Sequence, residues 1–257
     1  MQIEIRTYAE LARTILSGTT PYSAAKRTIQ SLFESPPKLP YLEAVALRLT
    51  VVDSYYSTNM SKRYYGIEDI AVSLQNIGPS DDQLSIFFRD YIQRPLAHEE
   101  GRRLFAGVYG INKKGDQKKR AQSLISKYGY FQTRFQFPIY DSLAKQSYRR
   151  LSIASPIQVP TCKRLDDPGE FFAAISKLNA MTHDFDLLDN LLWLIGKVKE
   201  ASLSLVVSRK AYLKLLSCTS SPMTYDLLVK IGRSKTEASS VLGKDLCAFI
   251  AFTRSLP

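Results

Sequence analysis

Only three of the 257 residues are cysteines (Cys162, Cys218 and Cys247) and only two are histidines (His98 and His183). Three cysteines set far apart give no disulfide framework. Neither histidine stands near a cysteine or the other histidine, so the chain shows no zinc-ligand spacing and no Cys–His nucleophile. Glycine-rich phosphate loops of the two common types are missing as well. No apolar run approaches the roughly 20 residues needed to span a bilayer. The opening Met1-Gln2-Ile3-Glu4-Ile5-Arg6 has no basic-then-apolar order of the kind that marks a secretory signal. These absences remove most hydrolases and nucleotide-using enzymes, call for neither metal nor cofactor, and lead us to expect a cytoplasmic protein with no membrane partner.

Acid is the scarcer charge. Asp and Glu number 24 against 35 Lys and Arg, a formal net charge of +11. A surplus of that size, clustered as it is here, is expected to serve a polyanion, nucleic acid first. Solubility alone is the plainer account. An acidic membrane surface fits less well, because no helix combines a basic face with an exposed aromatic one.

What is present is helical periodicity in a chain of globular composition, 45% apolar and 23% charged. Tyr8, Leu11, Ala12 and Ile15 share one face, as do Tyr22, Ala25, Ile29 and Leu32. Ser35-Pro36-Pro37-Lys38-Leu39-Pro40 then breaks the chain. Further stripes are Leu42, Val45, Ala46, Leu49 and Val52, then Ile67, Ile70, Ala71, Leu74 and Ile77. Leu84, Phe87, Phe88 and Tyr91 follow, opened by the capping-box pair Ser80 and Gln83. After the polar stretch Asn112 to Asp116, a helix is expected to turn Ala121, Leu124, Ile125 and Tyr128 inward. Lys119, Gln122, Ser126 and Lys127 would then face outward.

Helices near 142–150, 171–178 and 186–198 come next, the last preceded by His183 beside Asp184, a pairing that suits capping. Residues 201–257 read as two or three more, with Ser234 and Glu237 repeating the capping-box spacing. Within that tail, Tyr225–Ile231, Gly232-Arg233 and Ser234–Leu242 have the spacing of a helix-turn-helix. Only Gln158-Val159-Pro160 and Ser204–Val207 hint at extended chain. The fold class is therefore expected to be all-α.

Asp141 closes a proline-held connection, Phe137-Pro138-Ile139-Tyr140, and stands at a helix start, where free amides and the helix dipole favour an anion. The plainer account is an N-cap with a salt bridge to Lys145 at i+4. Lys113, Lys114, Lys118, Lys119 and Arg120 form the densest basic run. Gly115 within it lets backbone amides approach a phosphate. Arg102-Arg103, Lys62-Arg63 and Arg149-Arg150 are smaller basic pairs with no role assigned. Of the 15 tyrosines, Tyr140 alone is singled out for stacking on a base.

Tyr128-Gly129-Tyr130-Phe131 through Phe137-Pro138-Ile139-Tyr140-Asp141-Ser142 resembles the stretch of the helix-hairpin-helix DNA glycosylases that ends in their catalytic aspartate. The likeness is to a diverged bacterial group of that superfamily. Leu49-Thr50-Val51-Val52-Asp53-Ser54-Tyr55-Tyr56-Ser57-Thr58-Asn59 resembles the early helix and loop set against DNA in those proteins. Leu187 to Lys197 resembles their closing helix. The resemblance covers roughly residues 41–197. It implies a two-lobed helical core over 1–200 with DNA, duplex in form, in the cleft between the lobes, followed by a helical extension over 201–257.

On that likeness Asp141 would face a flipped nucleotide, stabilising the cationic sugar and directing water. Lys127 and the basic run would grip phosphates, and Ser57 and Asn59 would enter the gap left by the base. The chain also departs from the family. Asn112-Lys113-Lys114-Gly115-Asp116 stands where a glycine-rich helical hairpin is usual, and Leu143 where many members carry histidine. Gln122 stands where bifunctional members carry their lysine, so a monofunctional enzyme is expected. The alternative is a non-enzymatic nucleic-acid-binding module or a helical interaction protein of the same fold.

Overall fold

The computed structural model describes residues 4–17, 21–35, 37–56, 58, 60, 66–111, 118–154, 159–202 and 244–257. Among them the chain forms eleven α-helices and one two-stranded ribbon, so the all-α expectation holds. The first six helices are α1 (Ile5–Leu16), α2 (Pro21–Glu34), α3 (Tyr41–Tyr56), α4 (Ile67–Ile77), α5 (Asp81–Gln93) and α6 (Glu99–Ala106). Strands β1 (Tyr109–Ile111) and β2 (Lys118–Lys119) come next. Then follow α7 (Gln122–Gln132), α8 (Ser142–Ala154), α9 (Pro168–Asn179), α10 (Phe185–Ser202) and α11 (Lys244–Ser255). No described helix is long and apolar enough to cross a membrane.

The chain divides into two compact units. The first gathers Met1–Lys26, Ser142–Thr161 and Met181–Pro257; the second gathers Arg27–Asp141 and Cys162–Ala180. Most of the expected extension, with Ser204–Val207, the Ser234 and Glu237 cap and the helix-turn-helix spacing, lies outside the described residues, as does Gln158.

In the first unit α10 is packed by α1, α8 and α11. It buries Leu187, Leu191, Leu194, Ile195 and Val198, within the stretch 186–198 where the sequence places a helix. The inward face of α1 is rotated from the expected one. Ile5, Ala9, Ala12 and Leu16 are buried, while Tyr8, Leu11 and Ile15 sit half-buried on its flank. Small residues in the inward row permit close helix approach, and the larger Tyr8 ring stacks on Phe252 of α11 with centroids 3.7 Å apart. The cap of α10 comes from Asp184, which accepts from the amides of Asp186 (2.8 Å) and Leu187 (3.2 Å). His183 does not serve as the cap; it takes a left-handed backbone conformation, φ 56°.

The second unit is built around α7, buried along Leu124 to Gln132 and packed by α3, α5 and α6. Its core is aromatic. Phe137 lies 4.9 Å from Phe172 and 5.0 Å from Phe88, and Phe105 lies 5.1 Å from Phe172, in the edge-to-face arrangements that ring quadrupoles favour. The Ser80 hydroxyl caps α5 by accepting from the Gln83 amide at 3.3 Å, as its spacing predicts. Arg48 is almost wholly buried yet fully engaged: Nη1 and Nη2 meet the two oxygens of Asp81 at 2.5 and 3.0 Å, and Nε donates to the Leu32 carbonyl at 3.0 Å. That fork joins α2, α3 and the start of α5 through one side chain.

The ribbon departs from expectation. Tyr109 lies opposite Lys119 and Ile111 opposite Lys118 in an antiparallel pair with an irregular register. The stretch Asn112 to Asp116 is therefore flanked by strands, where the resemblance implies helices. The stretch itself lies outside the described residues.

Candidate functional site

Asp141 is the last residue of the second unit, and Ser142, the first of α8, belongs to the first. The connection ahead of it is held tightly. At the end of α7, the Thr133 hydroxyl donates to the Gly129 carbonyl (2.8 Å) and accepts from the Gln136 amide (3.1 Å). Arg134 and Phe135 then take left-handed conformations, φ 53° and 67°, a costly choice for a bulky residue. The turn is closed by the Phe135 amide donating to the Tyr130 carbonyl at 2.6 Å. Phe137 and Ile139 are buried beyond it.

Tyr140 sits deeper than a base-stacking role requires. It is 3% exposed. Its amide donates to the Ser126 hydroxyl (2.9 Å), its own hydroxyl donates to the Leu165 carbonyl (3.1 Å), and its ring meets Phe171 at 5.3 Å. The assignment of Tyr140 as a platform for a base is corrected: the residue fixes the connection that ends in Asp141.

Lys127 is likewise corrected. Both Ser126 and Lys127, expected on an outer face, are buried. The Lys127 ammonium lies 2.9 Å from the Asp141 carboxylate, donates to the Ser123 hydroxyl at 2.8 Å and stands 5.2 Å from the centroid of the Tyr56 ring. With 5% of its side chain exposed, it turns its charge on the aspartate and away from any phosphate in solvent. Asp141 keeps 23% of its side chain exposed. Water or a ligand therefore reaches the carboxylate from one side while a buried cation holds it from the other. This cation comes from α7, a partner that i,i+4 spacing along α8 does not anticipate.

Of the basic run, Lys119 and Arg120 are exposed at the exit of the ribbon, and Lys118 pairs through its backbone in β2. Lys113, Lys114 and Gly115 lie outside the described residues, as do Ser57 and Asn59. Of their described neighbours, Thr58 and Met60 are held by buried Asp53, which accepts from the Met60 amide (2.8 Å) and the Thr58 hydroxyl. Gln122 donates to the Phe105 carbonyl at 3.0 Å and is thus a structural residue of α7.

The structure adds one feature that sequence reading missed. An open cavity of about 810 Å³ in the second unit is lined by Arg102 and Arg103 of α6, by Arg120, and by Lys163 and Arg164. The signal for the last two was a basic dipeptide just ahead of the capping pair Asp167-Pro168, where Asp167 accepts from the Glu170 amide at 3.1 Å. Among the described residues no group of His, Cys, Asp and Glu is placed to hold a metal ion. No family model, curated protein or solved structure matches the chain.

Proposed function

We propose that the protein binds duplex DNA and acts on it as a monofunctional N-glycosylase, with Asp141 as the catalytic carboxylate. The observation that carries this reading is the placement of Asp141. It is a partly exposed carboxylate at a helix start, delivered by a rigid connection and backed by a buried ammonium at 2.9 Å. Cleavage of an N-glycosidic bond leaves its electron pair on the departing base and builds positive charge on the sugar. A fixed carboxylate beside that sugar stabilises the charge and takes a proton from the attacking water. Lys127 is a positioning residue here, since it holds the carboxylate and does not itself reach solvent. Lys119 and Arg120, with the run they end, supply the phosphate contacts.

A second reading, a DNA-binding module without chemistry, is favoured by the same ion pair, because an aspartate neutralised by lysine is also what a purely structural site displays. The two readings part on one experiment. Duplexes carrying damaged or modified bases are incubated with the wild type and with Asp141→Asn, and free base and DNA affinity are both measured. Base release that falls by orders of magnitude in Asp141→Asn, with affinity kept within a few-fold, supports the enzyme. Equal release from both proteins removes Asp141 from the chemistry, and no release from any substrate leaves the binding module.

A further inference from the structure

We infer that the cavity of the second unit, between α6, the exit of the ribbon and the segment leading into α9, is a binding site for a phosphate monoester. Five cations line it, Arg102, Arg103, Arg120, Lys163 and Arg164, against three carboxylates, Glu99, Asp166 and Asp167. Those cations come from three separate stretches of chain. Like charges gathered around one concavity repel one another, and a multivalent anion relieves that repulsion.

The cations are not used up by their neighbours. Arg103 pairs with Glu99, but both side chains are more than three-quarters or about three-quarters exposed, 78% and 75%, where such a pair contributes little. Arg164 pairs with Asp167 at 3.6 Å and hydrogen-bonds Glu170 at 3.4 Å, but with 68% of its side chain exposed these contacts too contribute little. Arg120 and Lys163 make no ion pair among the described residues.

The chemistry selects a monoester. A phosphate monoester near neutral pH carries about −1.5 to −2 charges and three acceptor oxygens, enough for two guanidinium forks and an ammonium. A diester along a strand carries one charge per phosphate and is met by a groove that follows the backbone. This cavity is an open depression bounded by three short stretches of chain, and its volume falls in the range of about 300–1,000 Å³ that small ligands occupy.

Phe105, Ala106, Leu165 and Pro168 line the remainder and offer apolar surface to the organic part of such a ligand. In the same wall the Tyr91 hydroxyl is buried and has no hydrogen-bond partner among the described residues. The phosphate has two sources, a free mononucleotide or the 5′ end of a DNA strand. The inference does not depend on base excision at Asp141.

The test uses two matched pairs of probes on the full chain. The first is deoxyadenosine 5′-monophosphate against deoxyadenosine. The second is one duplex with and without a 5′-phosphate. Affinities are measured for the wild type and for the double variant Arg102→Ala, Lys163→Ala, whose side chains are exposed and whose loss leaves the core intact. We expect the phosphate to raise affinity at least tenfold in one pair or both, and the double variant to abolish that gain. A gain in the nucleotide pair alone assigns a free nucleotide; a gain in the duplex pair assigns a strand end. No gain in either pair overturns the inference, and so does a gain that survives in the double variant. Loss of DNA binding as such would be read from the duplex without phosphate and would count against the proposed function, not against this site.

Discussion

Lys127 and Asp141 form an unequal ion pair: their charged atoms are 2.9 Å apart, but the lysine side chain is 5% exposed and the aspartate 23%. Removing one partner therefore differs from removing the other. Asp141→Asn strands a buried ammonium and is expected to cost about 2–3 kcal/mol, between the values for exposed and buried pairs. Lys127→Met leaves a carboxylate that water already reaches and should cost under about 1 kcal/mol. In the double variant no charge is stranded, so the Asp141→Asn cost should fall by at least half. Urea denaturation of the three variants measures this, and equal costs for the two single changes would refute the asymmetry.

Charge reversal in the basic run gives a second prediction. Lys119→Glu and Arg120→Glu, made together with changes at Lys113, Lys114 and Lys118, should weaken DNA binding alike at all sequences. The slope of log affinity against log salt should shrink by about one per lost phosphate contact. Binding measured over a salt series decides it. An unchanged slope would return the run to ordinary solvated surface.

Alkaline pH gives a third. Burial pushes the phenols of Tyr91 and Tyr128 well above their ordinary value of 10.0. Both side chains are fully buried. For such a group the folded state resists ionisation and the unfolded state does not. The contribution is complete below pH 10 and lost as pH rises above it, at roughly 1.4 kcal/mol per pH unit for each tyrosine. Phenolate absorbance followed alongside circular dichroism should show these two tyrosines ionising only as the helices melt. Their titration within an intact fold would contradict the burial.

Gly129 gives a fourth. It lies in α7, where a methyl group in its place would come within 2.8 Å of the Phe88 ring and 3.1 Å of Phe137. Alanine is the better helix former by about 1 kcal/mol, yet overpacking a dense aromatic core costs about 1–3 kcal/mol. Gly129→Ala should therefore lower the thermal midpoint. A raised midpoint would show that the rings give way.

These same elements mark where sequence reading succeeded and where it stopped. The stripes of α4 and α5 were legible because each buries one continuous apolar face, and Ser80 with Gln83 announced a cap that forms. Helix ends were read short: α8 continues to Ala154 and α9 begins at Pro168. The burial of α7 was hidden, because Ser126 and Lys127 satisfy their polarity through Tyr140 and Asp141, partners that periodicity does not register. The ribbon was illegible for another reason. Strands of three and two residues carrying Gly110 and two lysines offer no alternation to read. Asp141 was singled out as a candidate by its proline-held approach together with the resemblance, whereas the cavity is assembled from pairs of cations that each look like ordinary surface.

The division of the chain has a consequence for how the protein is made. The second unit draws all its residues from 27–141 and 162–180, so its aromatic core is complete once that length has emerged from the ribosome. The first unit must wait. The apolar row of α1, with Ile5, Ala9, Ala12 and Leu16, is covered by α10 and α11, which follow it far along the chain. At about 5–20 residues per second, that row stays uncovered for on the order of 10–40 s. During that interval α1 carries an apolar face without a mate, the kind of segment that chaperones bind and that drives aggregation when they are scarce.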